Sequence, residues 1–214
     1  MNDTDEALPS AIVLAGGASR RFGSDKLAVD VGGLPLLHRA IAALAGLTAE
    51  IVVVTGAGGP PELPEGIAVP LRLVQDDEPG AGPLAAVATG LAEVASDPVL
   101  IVGGDMPTLV PAVLALLVAH VRDGRADAAA LRDGVDVRPL PLAVRRRTAL
   151  SVARELRAEG QASLRRLVAA LDADAVPEQE WRPLDPVGAT LADIDTQADL
   201  EVQARRRATM FNRT

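Results

Sequence analysis

The chain of 214 residues contains no cysteine, and aromatic residues make up only 1% of it. The absence of cysteine excludes disulfides, zinc sites built on thiolates and a cysteine nucleophile. Because aromatic side chains are so few, a hydrophobic core must be built from leucine, valine, isoleucine and alanine. Hydrophobic residues make up 49% of the chain, which is enough for one sizeable core at this length.

Long apolar runs and positive charge are also scarce. No apolar run is long enough to cross a bilayer, and the acidic, polar first ten residues do not have the pattern of a secretory signal. We therefore expect a cytoplasmic protein that does not bind membranes. The net charge of −8 disfavours nucleic-acid binding, which needs a basic surface. A small anionic ligand would need a local cluster of cations, backbone amides or a metal.

Short apolar runs alternate with stretches of helical spacing along the chain. In the first half they predict strands at 11–15, 51–54, 71–74 and 99–102, and helices at 34–47, 84–95 and 110–121. In the second half we expect a strand at 139–144, helical structure over 148–171 interrupted near Gly160, a loop or short strand over 172–185, and a terminal helix at 198–207.

This alternation predicts a three-layer α/β/α fold with a mostly parallel sheet. Such sheets bind ligands at the carboxyl ends of their strands. No linker divides the chain, so we expect a single domain over residues 10–205, with a flexible segment at 1–9 and a frayed one at 206–214.

A glycine-containing polar loop follows the first predicted strand. Gly16 and Gly17 let the backbone approach a phosphate closely, and Arg21 and Lys26 supply positive charge. The spacing fits neither a Walker A loop nor a dinucleotide fingerprint. A lone pair of glycines is more often a plain turn, but the glycines together with Arg21 and Lys26 favour a phosphate-binding loop.

Asp105 follows the apolar strand at 99–102 and two glycines. A carboxylate in this position can hold a hard cation such as Mg²⁺ through oxygen. The alternative is a helix N-cap before the predicted helix at 110–121. His38 and His120 have no partner at metal-binding spacing, and we interpret both as structural.

Four stretches of the chain carry a family resemblance. LAGGASRRFGSDK at 14–26 resembles the signature LAGGxSxRxGxDK of the molybdenum cofactor guanylyltransferases. QDDEPGAGPL at 75–84, GDMP at 104–107 and DIDTQADL at 193–200 resemble three further motifs of that family, in the same order. The resemblance runs from about residue 10 to residue 200 and implies the Rossmann-like nucleotidyltransferase fold.

The resemblance also implies a reaction and a site. The reaction is transfer of GMP from GTP to the phosphate of molybdopterin, with Mg²⁺ as cofactor and pyrophosphate as product. Lys26, Arg21 and Asp105 would be catalytic, Asp105 would hold the metal, and Asp76 would read the guanine edge. The implied nucleotide-binding residues are Leu14, Ala15, Gly16, Gly17, Lys26, Thr55, Asp76, Gly82 and Asp105.

Two departures from the family pattern concern the acceptor. Asp193 and Asp195 stand where many members have asparagine; they could serve a metal or acceptor site, or cap the terminal helix. Ala162 stands where the family often has arginine, and Arg138, Arg145 and Arg146 could take over its contact with the acceptor. The alternative for the arginine run at 145–147 is a solvated face. Alternative functions are a cytidylyltransferase of the same pathway, a sugar-phosphate nucleotidyltransferase, or a non-catalytic cofactor carrier. We expect a monomer that interacts with cofactor-delivery or molybdoenzyme proteins.

Overall fold

The computed structural model describes residues 7–16 and 26–194. Within these residues, seven strands form one sheet. They are β1 (Ser10–Ala15), β2 (Glu50–Thr55), β3 (Leu71–Gln75), β4 (Val99–Gly103), β5 (Ala128–Asp133), β6 (Asp136–Val144) and β7 (Asp174–Val176). The helices are α1 (Leu36–Leu44), α2 (Pro83–Glu93), α3 (Pro111–Arg122), α4 (Arg146–Ala158), α5 (Leu164–Ala170) and α6 (Glu178–Trp181), with short 3-10 helices at Lys26–Ala28 and Ala189–Leu191.

The strands lie in the order β3-β2-β1-β4-β6-β5-β7. β1 is flanked by β2 and β4 and runs parallel to both, with Val13 opposite Val53 and Val102. β6 runs antiparallel to both of its neighbours, β4 and β5. β7 runs parallel to β5, so β6 is the only described strand that runs against the other six.

Helices cover both faces of this sheet. In β1, Ala11 and Val13 point into a core that also contains residues of α1 and α3, whereas Ile12 points into a core shared with α2, α4 and α5. This alternation is the two-residue period of a strand. Because both faces are covered, the interiors of the central strands are continuous apolar runs, as is typical of parallel sheets. The predicted three-layer fold with a mostly parallel sheet is confirmed.

The structure also contains elements that the sequence did not predict. β5 has the sequence AAALRD, and alanine is not a typical strand former. It forms a strand because β6 and β7 pair with it on either side. The short helix α6 lies in the stretch expected to be a loop or short strand, and its Trp181 is buried and donates its indole N–H to the Arg132 carbonyl. The terminal helix predicted at 198–207 lies outside the described residues.

No helix in the described ranges is long and apolar enough to cross a membrane.

Candidate functional site

The carboxyl ends of four neighbouring strands meet at one edge of the sheet. Ala15 at the end of β1 is paired with Thr55 at the end of β2, and Thr55 is paired with Gln75 at the end of β3. Leu14 is paired with Gly103, the last residue of β4. The loops that follow these strands carry three of the motifs found in the sequence, so the fold brings those motifs to a common edge, where sheets of this class bind ligands.

Lys26 and Asp105 form an ion pair at this edge. The Lys26 Nζ lies 2.9 Å from the Asp105 Oδ2, although the residues are 79 positions apart in the chain. The two side chains are 12% and 32% exposed, so the pair is shielded but reachable from solvent. The structure thus joins the end of the glycine-rich loop to the acidic motif.

The helix-cap alternative for Asp105 is excluded by the position of α3. This helix begins at Pro111, and its N-cap is Val110, which makes no side-chain capping bond. Asp105 lies five residues before that cap, and its carboxylate contacts Lys26 instead.

The end of the described chain holds the Asp105 loop in place. The Ile194 amide donates to the Asp105 carbonyl at 3.1 Å, and the Ile194 side chain is fully buried beside Val31 and Leu36. The neighbouring Asp193 is exposed. The fourth motif therefore begins next to Asp105; its second acidic residue, Asp195, lies outside the described residues.

Two more contacts tie these segments together. The Thr108 hydroxyl donates to the Ala189 carbonyl at 2.8 Å, and the Val110 amide donates to the Thr190 hydroxyl at 3.1 Å. Residues 105–110 are thus bound along their length to residues 189–194.

The start of the glycine-rich loop is tightly packed. The Gly104 amide donates to the Leu14 carbonyl at 3.0 Å, which links the loops after β1 and β4. A Cβ on Gly16 would lie 2.9 Å from the Gly56 backbone nitrogen, too close for any larger residue without a shift. The predicted phosphate-binding residues Gly17 and Arg21 lie outside the described residues.

Asp76 is buried directly after β3, with only 6% of its surface exposed. Its amide donates to the Thr55 carbonyl at 2.8 Å, and its Oδ1 accepts from the Glu78 amide at 3.2 Å and the Thr89 hydroxyl at 3.3 Å. No described residue donates to Oδ2. One carboxylate oxygen is therefore held by the protein, while the other keeps its acceptor capacity.

The loop after Asp76 packs on the connection between α4 and α5. Gly82 has φ +97°, and a Cβ there would lie 2.8 Å from the Ala162 Cβ. The Leu84 amide donates to the Ala162 carbonyl at 3.2 Å, and Arg157 pairs with Glu78 at 2.7 Å. Ala162, which stands where the family often has arginine, thus packs directly against the Gly82 loop.

Arg138 lies in the amino-terminal half of β6, on the side of the sheet where the parallel strands have their carboxyl ends. Leu142 is paired with Ile101, and because β6 is antiparallel, Arg138 lies farther toward the carboxyl end of β4. The Arg138 Nε is buried and has no hydrogen-bond partner among the described residues. A buried, unsatisfied donor of a cation is a group that an anionic ligand would satisfy.

Arg145 does not belong to this site, which corrects its prediction as an acceptor-binding residue. It follows Val144, the partner of Val99 at the opposite edge of the sheet. Its guanidinium donates to the Val121 carbonyl at 2.8 Å, at the end of α3. The reason is the antiparallel direction of β6: residues close in sequence to Arg138 leave the sheet at its far edge.

Neither histidine contacts the residues of this edge. His120 is 4% exposed, and its ring nitrogens lie 2.7 Å from Asp174 Oδ2 and 3.1 Å from Glu180 Oε2. His38 Nε2 lies 2.9 Å from the Glu62 carbonyl. These contacts tie helices to neighbouring segments and agree with a structural role.

The donor set suits a divalent cation that arrives with a phosphate ligand. Among the described residues, no group of three histidine or acidic side chains could hold a metal alone. Mg²⁺ usually takes one or two carboxylates and completes its shell with water and substrate phosphates. Asp105 can supply one such carboxylate, so the residues present fit Mg²⁺ shared with a triphosphate.

Sequence reasoning missed Thr89, whose hydroxyl contacts Asp76. The only signal in the sequence is a threonine within the otherwise apolar first turns of α2, PLAAVATGLAE. Such a residue is usually explained by a hydrogen bond to its own helix. Its true partner lies on the preceding loop, which only the fold brings close.

A family model and the curated relatives of this chain point to the same family. Residues 11–176 match the model of the MobA-like NTP transferase domain. A probable molybdenum cofactor guanylyltransferase of Chloroflexus aggregans is 38% identical over 200 residues, covering 90% of this chain and 92% of that protein. One from Mycobacterium avium is 35% identical over 205 residues, covering 93% and 96%.

Solved structures show the same fold. Molybdopterin-guanine dinucleotide biosynthesis protein A from Archaeoglobus fulgidus superposes with a TM-score of 0.76 at 20% identity, covering 94% of this chain and 99% of that one. The 4-diphosphocytidyl-2C-methyl-D-erythritol synthase of Anaerococcus prevotii superposes with a TM-score of 0.70 at 15% identity, covering 95% and 100%.

Proposed function

Because this chain belongs to the family of MobA-like NTP transferase domains, we propose that it transfers GMP from GTP to the phosphate of molybdopterin. The observation that carries the proposal is the ion pair of Lys26 and Asp105 at the carboxyl edge of the sheet. A cation and an anion 2.9 Å apart suit a ligand that brings both signs of charge, such as a triphosphate with its metal.

In the proposed reaction, a phosphate oxygen of molybdopterin forms a bond to the α-phosphorus of GTP. The bond from the α-phosphorus to the oxygen bridging it to the β-phosphate breaks, and pyrophosphate leaves with that electron pair. The acceptor is already anionic, so the protein must position it rather than deprotonate it. The Lys26 ammonium stabilises the negative charge that grows on the leaving group.

Mg²⁺ is the proposed cofactor, and Asp105 is the residue that holds it. The ion would neutralise triphosphate charge during transfer. Asp105 is suited to this role because the Ile194 amide fixes its backbone and leaves the carboxylate at the edge of the sheet.

Asp76 is the proposed base-reading residue. Guanine presents a ring N–H and an amino group side by side, and a carboxylate can accept from both. Asp76 supports this role because it is buried, its Oδ1 is fixed, and its Oδ2 has no described donor.

For the acceptor we propose Arg138 and Asp193. Arg138 has the unsatisfied buried Nε described above, and a guanidinium binds phosphate with paired hydrogen bonds. Asp193 is exposed beside the residue that holds Asp105. Arg145 is not part of this proposal.

The test is to incubate the purified protein with Mg²⁺, molybdopterin and each of the four nucleoside triphosphates in turn, and to measure pyrophosphate. We expect release with GTP only, and none when molybdopterin is omitted. Release with CTP only would identify the cytidylyltransferase alternative. Release with a sugar phosphate in place of molybdopterin would identify the second alternative, and molybdopterin binding without turnover would identify a carrier.

A further inference from the structure

Thr89 is a buried hydroxyl in a helix that is otherwise packed by apolar side chains. Eight consecutive residues of α2, Leu84 to Leu91, are buried, and Thr89 is 5% exposed. Its Oγ1 lies 3.3 Å from the Asp76 Oδ1 and 3.5 Å from the Asp77 amide nitrogen. One hydroxyl thus donates to the Asp76 carboxylate and accepts from the next residue of the same loop.

These contacts restrict the orientation of the Asp76 carboxylate. Oδ1 of Asp76 receives the Thr89 hydroxyl and the Glu78 amide, and two donors on one oxygen restrict rotation about the Cβ–Cγ bond. The direction of Oδ2 is then fixed as well. The Glu78 amide belongs to the same loop as Asp76, whereas Thr89 is anchored in a separate element, a helix within the core.

We propose that Thr89 is a positioning residue that sets the nucleobase selectivity of this site by fixing the Asp76 carboxylate. This inference rests on the proposed role of Asp76 as the base-reading residue. Without the hydroxyl, the carboxylate must be ordered each time a nucleotide binds. The affinity for a base with two adjacent donors, such as guanine, should then fall. The affinity for adenine, which lacks this pair of donors, should not.

The test compares two substitutions in the full chain. Thr89→Val keeps the branched shape and removes the hydroxyl, and Thr89→Ser keeps the hydroxyl and removes the methyl group. The dissociation constants for GTP, ITP and ATP are measured by calorimetry with Mg²⁺ present. ITP retains the ring N–H and lacks the amino group, so it separates the two contacts to the base.

For Thr89→Val we expect GTP affinity to fall roughly 3- to 10-fold, because binding must then order one more side chain. ITP affinity should fall less, and ATP affinity should stay within about two-fold. Thr89→Ser should restore most of the GTP preference. In turnover, Thr89→Val should raise the KM for GTP and leave kcat nearly unchanged, the pattern of lost ground-state binding.

Thr48→Val is the matched control, because Thr48 is also buried and donates its hydroxyl to the Leu44 carbonyl, away from the site. It should change the free energy of unfolding without changing selectivity. A Thr89→Val protein with the wild-type GTP preference, or with GTP and ATP affinity lowered equally, overturns the positioning role alone. A wild type that binds all triphosphates equally overturns the Asp76 assignment and this inference with it.

Discussion

At the scale of single residues, the site depends on side chains whose neighbours are distant in sequence. Asp105 is bound through its carboxylate to Lys26 and through its carbonyl to Ile194. Lys26 lies before α1, and Ile194 lies beyond every strand of the sheet. Asp105 is therefore the residue at which three parts of the chain meet, and its substitution gives the most direct test.

Asp105→Asn keeps the size of the side chain and removes its charge. We expect turnover to fall by several orders of magnitude, because metal stabilisation of the reacting phosphate contributes several kcal/mol. The dependence of GTP binding on Mg²⁺, measured by calorimetry, should weaken as well. The pair with Lys26 is partly exposed, so the free energy of unfolding should change by less than about 1 kcal/mol.

Asp123→Asn is the matched control for this substitution. Asp123 is exposed at the end of α3 and lies 3.9 Å from Arg125, away from the carboxyl edge. Its substitution should change neither turnover nor Mg²⁺ dependence. Wild-type turnover in Asp105→Asn would contradict the metal role.

Arg138 and Arg145 form a second matched pair. Arg138→Gln should raise the KM for the acceptor roughly 10- to 100-fold, the effect of losing a charged hydrogen-bond donor, and leave the KM for GTP unchanged. Arg145→Gln should leave both constants unchanged. It should lower the free energy of unfolding by about 1 kcal/mol, because its hydrogen bond to the Val121 carbonyl is lost. Steady-state kinetics and denaturant titration measure the two effects. A raised KM for the acceptor in Arg145→Gln, with an unchanged one in Arg138→Gln, would contradict the proposed role of Arg138.

At the residue scale, the fold places two of the predicted site residues, Asp76 and Asp105, at one edge of the sheet. Asp105 was predicted from its place after a buried strand and Asp76 from the family resemblance, and their roles stay predictions. Arg145 was misplaced because the sequence did not reveal the direction of β6. Thr89 was missed because a hydroxyl in a helix has no local sign of a partner across the fold.

At the scale of elements, the loop after β3 depends on the connection between α4 and α5. Gly82 packs against Ala162 there, and Glu78 of the loop forms an ion pair with Arg157 of α4. The pair is largely exposed on the Glu78 side, so it contributes little stability by itself. The Leu84 amide also donates to the Ala162 carbonyl, and the close approach of the two segments requires that position 82 lack a side chain.

Gly82→Ala should therefore be costly in two ways. Alanine at φ +97° is strained, and its Cβ would collide with the Ala162 Cβ. We expect the free energy of unfolding to fall by roughly 1–3 kcal/mol and GTP binding to weaken, because the loop must move away from the connection between α4 and α5. Denaturant titration and calorimetry measure the two effects.

Gly124→Ala is the control for backbone strain alone. Gly124 has φ +70°, and a Cβ there would meet no atom within 4 Å. It should lower stability by about 1 kcal/mol and leave GTP binding unchanged. Equal effects of the two substitutions on GTP binding would show that the contact with Ala162 does not shape the site.

Element prediction was accurate where local and tertiary signals agree. The apolar strands β1, β2 and β4 and the helices α1, α2 and α3 were predicted within a few residues of their bounds. β5 was missed because its alanine-rich sequence has no preference for a strand, and pairing with β6 and β7 decides its conformation. Such a strand can be found only when its neighbours are known.

At the scale of the whole molecule, a partly buried polar cluster joins several segments at the amino edge of the sheet. The Glu50 carboxylate accepts from the Ser10 hydroxyl at 2.8 Å and the Ala95 amide at 2.9 Å, and Arg72 lies 3.4 Å away. Burial raises the pKa of Glu50, but these hydrogen bonds and the Arg72 charge outweigh it and leave the pKa below its ordinary value of 4.5.

This lowered pKa predicts how stability depends on pH. The contribution of Glu50 is fully present above pH 4.5 and is lost as the pH falls through the lower pKa of the folded protein. Glu50→Gln should lower the free energy of unfolding at pH 7 by about 1–2 kcal/mol. It should also make the fall in the free energy of unfolding as the pH drops below about 5 shallower than in the wild type. Denaturant titrations across this range measure both, and parallel curves would contradict the prediction.

The overall architecture could be predicted because β-α-β units leave few alternatives for the order of neighbouring layers. The position of β6 could not, since an antiparallel strand between β4 and β5 leaves no mark in the pattern of its own residues. The sequence therefore located the carboxyl edge of the sheet as the proposed ligand-binding edge and left open which second-half residues reach it.

The contacts between residues 105–110 and 189–194 have a consequence for the order of events during synthesis. β7, the last strand among the described residues, ends at Val176 and emerges from the ribosome before Ala189, Thr190 and Ile194. The seven described strands are thus exposed for pairing while the loop that carries Asp105 still lacks its backbone support. We expect a fragment cut before residue 189 to lose the support of the Asp105 loop even where it keeps the sheet.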